Sequence, residues 1–216
     1  GSTNRRGTVI RFRPDAQIFE TTDFSFDYLT TRLRELAFLN RGVRIILKDE
    51  RSDRIHDFKY DGGINSFVEY LNQNKKPLFP KPIHIESIRD TMEFEVAIQY
   101  NEGYQENIFS FANNINTIEG GTHLSGFKRG LTSAVNAYIK NNDLLKNEKV
   151  SPSGEDIREG LTAVVSVKIA NPQFEGQTKT KLQNTDVEGV VGSAIYEKLM
   201  VYFEEHPAEA KNISMK

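Results

Sequence analysis

The sequence of 216 residues contains no cysteine, which excludes disulfide bonds and thiol chemistry and fits a reducing cytoplasm. It also has no apolar run long enough to span a membrane and no charged-then-apolar signal sequence at its start, so we expect a cytoplasmic protein without a membrane partner. An excess of one charge is missing as well, since 28 basic and 30 acidic residues leave a formal net charge of −2. Any contact with DNA must therefore come from a local patch of positive charge.

The common catalytic and metal-binding signatures are absent too. No serine lies in a nucleophile elbow, and the glycine pairs lack the spacing of a Walker A loop. Glu93 and Glu95 share one face of a predicted strand, and an exposed sheet face explains them better than acid–base catalysis does. The histidines lie far apart without metal-ligand spacing, so we interpret them as surface or capping residues and predict no metal site. They are His56, His84, His123 and His206.

What the sequence does contain is a polar loop, residues 171–184, between a β-patterned run and a long helical one. The run Leu161–Ile169 predicts a half-buried strand, because polar residues recur in it with a period of two. Gln177 and Lys179 at the centre of the loop offer hydrogen-bond donors that suit an anion. A solvated loop is the alternative, since basic residues on loops are usually just exposed.

Periodicity and capping signals predict the elements of the first half of the chain. They predict a strand over residues 7–12, a helix capped by Ser25, and short strands over residues 43–48 and 56–60. Gly62 and Gly63 indicate a domain boundary, after which apolar residues at helical spacing begin the next domain.

Alternation and turn chemistry organise the second half. Met92–Tyr100 alternates strictly and leads through a tight turn to residues 107–111, which predicts an antiparallel hairpin. Helix starts are predicted at Thr122 as an N-cap and at capping boxes that begin with Ser153 and Thr185. The last helix is predicted to end before Pro207, and the residues beyond it show no clear stop signal.

One face of the helix after Thr122 is basic or neutral. Four residues repeat on it at i, i+4 without a carboxylate, which is usual for a solvated face. They are Lys128, Thr132, Asn136 and Lys140.

The loop sequence QFEGQTKTKL resembles the QTK loop in the ATPase subunit of bacterial type IIA topoisomerases, the family of DNA gyrase B and its topoisomerase IV counterpart. Further stretches match this family in the same order across nearly the whole chain, and together they are highly specific. They are GTVIRF at 7–12, RELAFLN at 34–40, DGGI at 61–64, ANNI at 112–115, EGGTH at 119–123, GF at 126–127 and SGEDIREGL at 153–161. Of the two enzymes, we favour gyrase.

The resemblance implies an α/β fold in two layers. Residues 3–61 would be the C-terminal part of a GHKL-type ATPase domain, and residues 62–216 a transducer domain with helices on one face of a mixed sheet. The family's left-handed βαβ crossover is expected, although handedness rules alone would not predict it. Residues 1–2 look like a tag remnant.

The same resemblance implies the functional residues. Lys179, with Gln177, would donate to the γ-phosphate of ATP, and Thr8 would help to form the adenine pocket, where its alternative interpretation is an ordinary β-branched strand residue. Lys128 and Arg129 would contact the phosphates of a DNA duplex held between paired subunits.

The family's magnesium-binding asparagine, general-base glutamate and ATP lid have no match in this sequence. We therefore expect ATP and Mg²⁺ in the full-length protein, and neither a cofactor nor activity in this chain alone. The expected partners are DNA, a gyrase A-type subunit in a heterotetramer, and a second ATPase subunit when ATP is bound.

Two functions of different classes follow. The first is a transducer that couples ATP binding and hydrolysis to clamp closure and DNA strand passage. The second is a non-enzymatic α/β module that binds DNA or a protein through the basic helix face. A module should bind on its own, whereas a transducer should be nearly inert until the rest of the enzyme is supplied.

Overall fold

The computed structural model describes residues 7–89, 91–145 and 151–216. They form a two-stranded sheet and a five-stranded sheet with helices on both sides of the larger one, which confirms the α/β class. No helix in these ranges is long and apolar enough to cross a membrane. The elements in chain order are α1 (Phe26–Leu39), β1 (Arg44–Asp49), β2 (Arg54–Lys59), α2 (Ile64–Asn72), β3 (Ile83–Arg89), β4 (Met92–Tyr100), β5 (Asn107–Ala112), β6 (Ile115–Asn116), α3 (Thr122–Asn141), α4 (Gly154–Ile157), β7 (Leu161–Ile169), α5 (Thr185–Glu205) and α6 (Pro207–Ser214).

The N-terminal region contains α1 and the β1–β2 hairpin. The Ser25 hydroxyl caps α1 by accepting from the backbone N–H of Tyr28 at 3.3 Å, as predicted. The strand predicted over residues 7–12 is wrong, because this segment forms no strand and pairs with none of the described strands. Its apolar residues are exposed instead, with Val9 at 97% and Ile10 at 81%. A β-pattern therefore produces a strand only where a partner strand is available.

The five-stranded sheet has the order β3-β4-β7-β5-β6. β7 pairs antiparallel with β4 and parallel with β5, so it lies between two strands that precede it in the chain. The antiparallel hairpin predicted for β4 and β5 is therefore wrong. Because β5 and β7 are parallel neighbours, the chain between them must cross over, and α3 lies in that crossover.

The strand β7 is the centre of the sheet and differs from the half-buried strand that was predicted. Its first seven residues are buried on both faces, including Thr162 and Ser166. The Thr162 hydroxyl donates to the Asn72 side chain at 2.8 Å, so a polar group is accommodated inside the core. Polar residues do alternate along β7, but residues on both of its faces are buried.

The helices α3 and α5 pack closely together against one face of the sheet. Two glycines of α3 permit this approach, because a Cβ at Gly126 would lie 2.5 Å from the carbonyl oxygen of Glu188, and one at Gly130 would lie 2.5 Å from that of Gly192. Since real Cβ atoms essentially never approach so closely, larger residues would force the helices apart. The two helices therefore form a tightly packed pair.

The opposite face of the sheet carries a third layer that the sequence interpretation did not include. It consists of α2 and the C-terminal end of α1, which share a core with Ala97 and Val164. Within it, the ring of Phe38 stacks on that of Phe67 with centroids 4.7 Å apart. The boundary predicted near Gly62 thus crosses a shared aromatic cluster.

The observed helix ends match the ends predicted from the sequence only in part. The capping box of Ser153 and Asp156 is formed, as predicted. The helices predicted to be capped by Thr122 and Thr185 begin one residue earlier, with Gly121 and Asn184 as N-caps that provide no side-chain hydrogen bond to the helix. The last eight-residue helix, α6, was not predicted at all. It begins at Pro207 and is held by the buried residues Ala210 and Ile213.

Candidate functional site

The polar loop between β7 and α5 is a short hairpin. Its two arms are joined by a bridge between Phe174 and Leu182. The N–H of Glu175 donates to the carbonyl oxygen of Lys181 at 3.0 Å, and the N–H of Gln183 donates to that of Gln173 at 2.8 Å. These bonds give the loop a defined stem although most of its residues are polar.

The tip of the loop consists of Gln177, Thr178 and Lys179, which are all exposed. The N–H of Lys179 donates to the carbonyl oxygen of Gly176 at 3.0 Å and closes the turn. Lys179 adopts a left-handed backbone conformation with φ of 56°. No described carboxylate forms an ion pair with its ammonium group. Gln177 and Lys179 therefore both lie at the exposed tip, and neither side chain has a hydrogen-bond or ion-pair partner in the described part of the chain.

The base of the loop is attached to the start of α3. The N–H of Leu182 donates to the carbonyl oxygen of Gly120 at 3.1 Å, and the N–H of Thr122 donates to that of Leu182 at 3.0 Å. A Cβ at Gly121 would lie only 2.2 Å from the Leu182 carbonyl oxygen, and its φ of 130° also favours glycine. Only glycine permits this close backbone contact.

Four further hydrogen bonds lie beside this attachment. The N–H of Glu119 donates to the carbonyl oxygen of Thr180 at 3.0 Å, and the Thr180 hydroxyl donates to the Glu119 carboxylate. On the other arm, the Asn184 side chain accepts from the N–H of Gln173 at 2.7 Å and donates to the carbonyl oxygen of Asn171 at 3.1 Å. The base is thus hydrogen-bonded on both sides.

A buried polar cluster lies beneath the attachment point and was missed in the sequence. His123 is fully buried, so its interpretation as a surface or capping residue is wrong. Its Nε2 lies 3.1 Å from the hydroxyl of Thr117, which donates to the carbonyl oxygen of Ser110 at 2.9 Å. Burial lowers the pKa of His123 to about 4, so the imidazole is neutral at physiological pH. The only sequence signal for this cluster was the EGGTH run at residues 119–123.

The other proposed residues lie apart from the loop. Thr8 is exposed in the segment without regular structure, and no hydrogen bond joins it to the loop in the described part of the chain. Lys128 forms an ion pair with Glu106 at 2.5 Å, and Arg129 forms one with Glu188 at 3.0 Å. The basic face of α3 is therefore partly neutralised from within the chain.

Glu106 lies between two cations, because Arg158 also contacts its carboxylate at 2.8 Å. Partial burial raises the pKa of Glu106, but the hydrogen bonds from Lys128 and Arg158 outweigh burial and lower it overall. Among the described residues, no group of three or more histidine or acidic side chains is arranged to hold a metal ion.

Comparisons with known proteins show the family of this chain. A family model described as DNA gyrase B matches residues 63–216. The chain belongs to the DNA gyrase B family. The gyrase B protein of Clostridium acetobutylicum is 58% identical over 212 residues, which are 98% of this chain and 33% of that protein. The gyrase B protein of Myxococcus xanthus is 53% identical over 216 residues, which are 100% of this chain and 26% of that protein. The chain therefore spans about a third or less of these gyrase B relatives.

Solved structures of gyrase B and topoisomerase IV share the fold. The 43K ATPase domain of Thermus thermophilus gyrase B, solved with an aminocoumarin, has 39% identity and a TM-score of 0.80 over 93% of this chain and 54% of that chain. The ATP-binding domain of Francisella tularensis topoisomerase IV has 29% identity and a TM-score of 0.78 over 94% of this chain and 54% of that chain. The expected resemblance to the ATPase subunits of type IIA topoisomerases is confirmed, with gyrase B as the named family.

Proposed function

We propose that this chain is the part of a gyrase B-type subunit that senses bound ATP and transmits its state to the DNA clamp. In this proposal Lys179 and Gln177 donate to the γ-phosphate of ATP held mainly by another part of the subunit. The observation that carries the proposal is the contrast within the loop between a tip lysine that has no ion-pair partner among the described residues and a hydrogen-bonded base. A cation on a fixed support is what stabilisation of a phosphoryl group requires.

The residues present fit a phosphate better than a metal. The Lys179 ammonium is exposed without a carboxylate partner among the described residues, whereas Lys181 on the same loop pairs with Glu175 at 3.0 Å. We assign Thr8 to the adenine pocket, to be completed by residues outside this chain. ATP supplies the phosphoryl group when bound, and we expect Mg²⁺ to be held by residues other than those described.

The loop is well placed to pass a signal on. Its base is hydrogen-bonded to the start of α3 and runs directly into α5, and these helices are tightly packed together. A charge-assisted hydrogen bond of Lys179 contributes about 1.5–3 kcal/mol. If this bond is lost after hydrolysis, that energy shifts a two-state domain equilibrium by roughly tenfold to a hundredfold.

The remaining parts of the proposal concern the whole protein. We propose that the subunit is an ATP-hydrolysing type II topoisomerase subunit that works on duplex DNA in the cytoplasm. It would pair with a gyrase A-type subunit in a heterotetramer and form a homodimer of ATPase subunits when ATP is bound. This chain alone is expected to be inactive.

Replacement of Lys179 tests the role of the loop. In the full-length subunit, Lys179→Ala should lower the ATP turnover number by about 100-fold or more, because one positioned donor to a developing charge has that effect. Affinity for a non-hydrolysable ATP analogue should change little. Steady-state turnover and analogue binding measure the two quantities.

Lys181→Ala is the matched control, since Lys181 lies on the same loop but is engaged by Glu175. It should leave turnover within about twofold, as expected for an exposed ion pair. If Lys179→Ala weakened analogue binding but retained full turnover at saturating ATP, the role of Lys179 in hydrolysis would be refuted.

For DNA, we propose phosphate contacts by Lys128 and Arg129. Their ion pairs with Glu106 and Glu188 oppose this role, so phosphates would have to replace those carboxylates. Each of Lys128→Gln and Arg129→Gln should reduce the slope of log K against log salt by about 0.9 in the full-length protein. Lys198→Gln, exposed on α5, is the control. If the slope of log K against log salt were unchanged in both variants, neither residue would contact DNA.

The ion pairs of Lys128 and Arg129 also give no support to a separate binding module on this face of α3.

A further inference from the structure

The polar cluster beneath the loop joins the side chains of Ser110, Thr117 and His123. The Thr117 hydroxyl lies 2.9 Å from the Ser110 carbonyl oxygen and 2.8 Å from the Ser110 hydroxyl. Nε2 of His123 lies 3.1 Å from the same Thr117 hydroxyl oxygen, and the tautomer of the neutral imidazole decides which of the two groups donates. Nδ1 of His123 has no partner among the described residues.

Thr117 connects three elements at this point. Its N–H donates to the Ser110 carbonyl oxygen at 2.9 Å, which ties it to β5. Its own carbonyl oxygen accepts from the N–H of Gly120 at 2.8 Å and from the Ser110 hydroxyl at 3.0 Å. The imidazole of His123, in the first turn of α3, completes the cluster.

The backbone that follows Thr117 is the backbone that holds the loop. Gly120 accepts from Leu182 and the N–H of Thr122 donates to Leu182, so both bonds depend on where residues 120–122 lie. His123 comes directly after this segment and cannot move without displacing it. Thr117 therefore contacts both ends of residues 120–122. Its carbonyl oxygen accepts from the N–H of Gly120, and its hydroxyl contacts His123 in the first turn of α3.

We propose that His123 is a positioning residue for ATP hydrolysis, which acts through Thr117 and residues 120–122 to fix the base of the loop that carries Lys179. The inference rests on the proposed role of Lys179. His123 touches neither nucleotide nor Lys179. Its contribution is a hydrogen bond between the neutral imidazole and Thr117, in a buried place where Thr117 would otherwise lose a partner.

Two variants separate the hydrogen bond of His123 from the volume of its side chain. His123→Gln keeps an amide that can donate or accept at about the reach of Nε2, whereas His123→Leu fills similar space without a polar group. Thr162→Val is the matched control, because it removes another buried hydroxyl, which bonds to Asn72 on the far side of β7 and away from the loop.

The first measurement is amide hydrogen exchange in this chain. In His123→Leu, the amides of Leu182 and Thr122 should exchange about tenfold faster relative to the core amide of Val96, because the base opens locally. In His123→Gln and Thr162→Val this ratio should stay within about threefold of the parent chain. Equal ratios in His123→Leu and the parent chain would overturn the inference.

The second measurement is ATP turnover in the full-length subunit, with Lys179→Ala run alongside. His123→Leu should lower kcat by about tenfold with KM nearly unchanged, and His123→Gln should restore most of kcat. If Lys179→Ala abolishes turnover while His123→Leu leaves it intact, the inference fails and the proposed function stands. If Lys179→Ala itself leaves turnover intact, the proposed function fails and the role of His123 in hydrolysis fails with it, while the exchange result still separately shows whether His123 holds the base of the loop.

Discussion

The tip and the base of the loop at residues 171–184 belong to one short segment and have very different surroundings. At the tip, Gln177 and Lys179 are exposed, and no ion pair to the described residues restrains the lysine. At the base, Leu182 is buried and exchanges two backbone hydrogen bonds with residues 120–122. The comparison indicates that the base sets where the tip is, and the tip remains available to a ligand.

This difference also predicts that substitutions at the base and at the tip have different effects. Changes at the base should alter stability and loop position, whereas changes at the tip should alter function alone. The following predictions test that division, beginning with the largest expected effect on stability.

Gly121→Ala should break the base. The new Cβ would meet the carbonyl oxygen of Leu182 at 2.2 Å, at a backbone φ of 130° that L-residues rarely adopt. We expect the free energy of unfolding to fall by about 2–4 kcal/mol, because strain and overpacking add. Urea denaturation of this chain measures the loss.

Gly176→Ala is the control within the same loop, next to the tip. A Cβ there would meet nothing within 4 Å, and no positive φ is involved. Its free energy of unfolding should stay within about 0.5 kcal/mol of the parent chain. Equal effects at Gly121 and Gly176 would contradict the distinction between base and tip.

Because His123 is buried beneath the base of the loop, the stability of the chain should decrease at acidic pH. The pKa of His123 is lowered by burial to about 4, compared with an ordinary value of 6.5 in the unfolded chain. As the pH falls from 6.5 towards 4, the unfolded state binds a proton that the folded state does not, so stability is lost progressively. The free energy of unfolding falls by about 3 kcal/mol in total, and no such fall occurs above the ordinary pKa.

His123→Gln removes this titration, so the difference in unfolding free energy between the parent chain and the variant should change between pH 7.5 and 4.5. His84 serves as a control, because its contribution to stability should depend on pH in the opposite direction. The hydrogen bond with Glu95 raises the pKa of His84, so its contribution is present at low pH and lost as the pH rises through the folded-state pKa. Parallel acid profiles for parent and His123→Gln would show that His123 is not buried as a neutral group.

Lys181→Ala should have the smallest effect. Lys181 and Glu175 form an ion pair at 3.0 Å on the stem, but their side chains are 44% and 51% exposed. Loss of the pair should change the free energy of unfolding by less than about 0.5 kcal/mol. Lys179→Ala should be equally neutral in the same denaturation assay. A loss above about 1 kcal/mol for Lys179→Ala would mean that the tip also has a structural role.

Much of the fold could be predicted from local signals. The helix capped by Ser25, the β1–β2 hairpin and the capping box of Ser153 and Asp156 all depend on neighbours within a few residues, and all are present. The errors arose where distant segments decide. β7 separates β4 from β5, and residues 7–12 have no partner strand among the described strands. Neither fact is encoded in a local pattern.

For the candidate site, the sequence by itself determined which side chains are present, namely a lysine and a glutamine on a mostly polar loop and two glycines at 120–121. Tertiary structure alone decided that Gly121 meets Leu182, that His123 is buried beneath them, and that Glu106 and Glu188 engage Lys128 and Arg129. The physical reason is distance along the chain. Residue types and short-range periodicity are local properties, whereas burial, ion pairing and backbone contact between segments as distant in sequence as Glu119 and Thr180 exist only after the chain has folded.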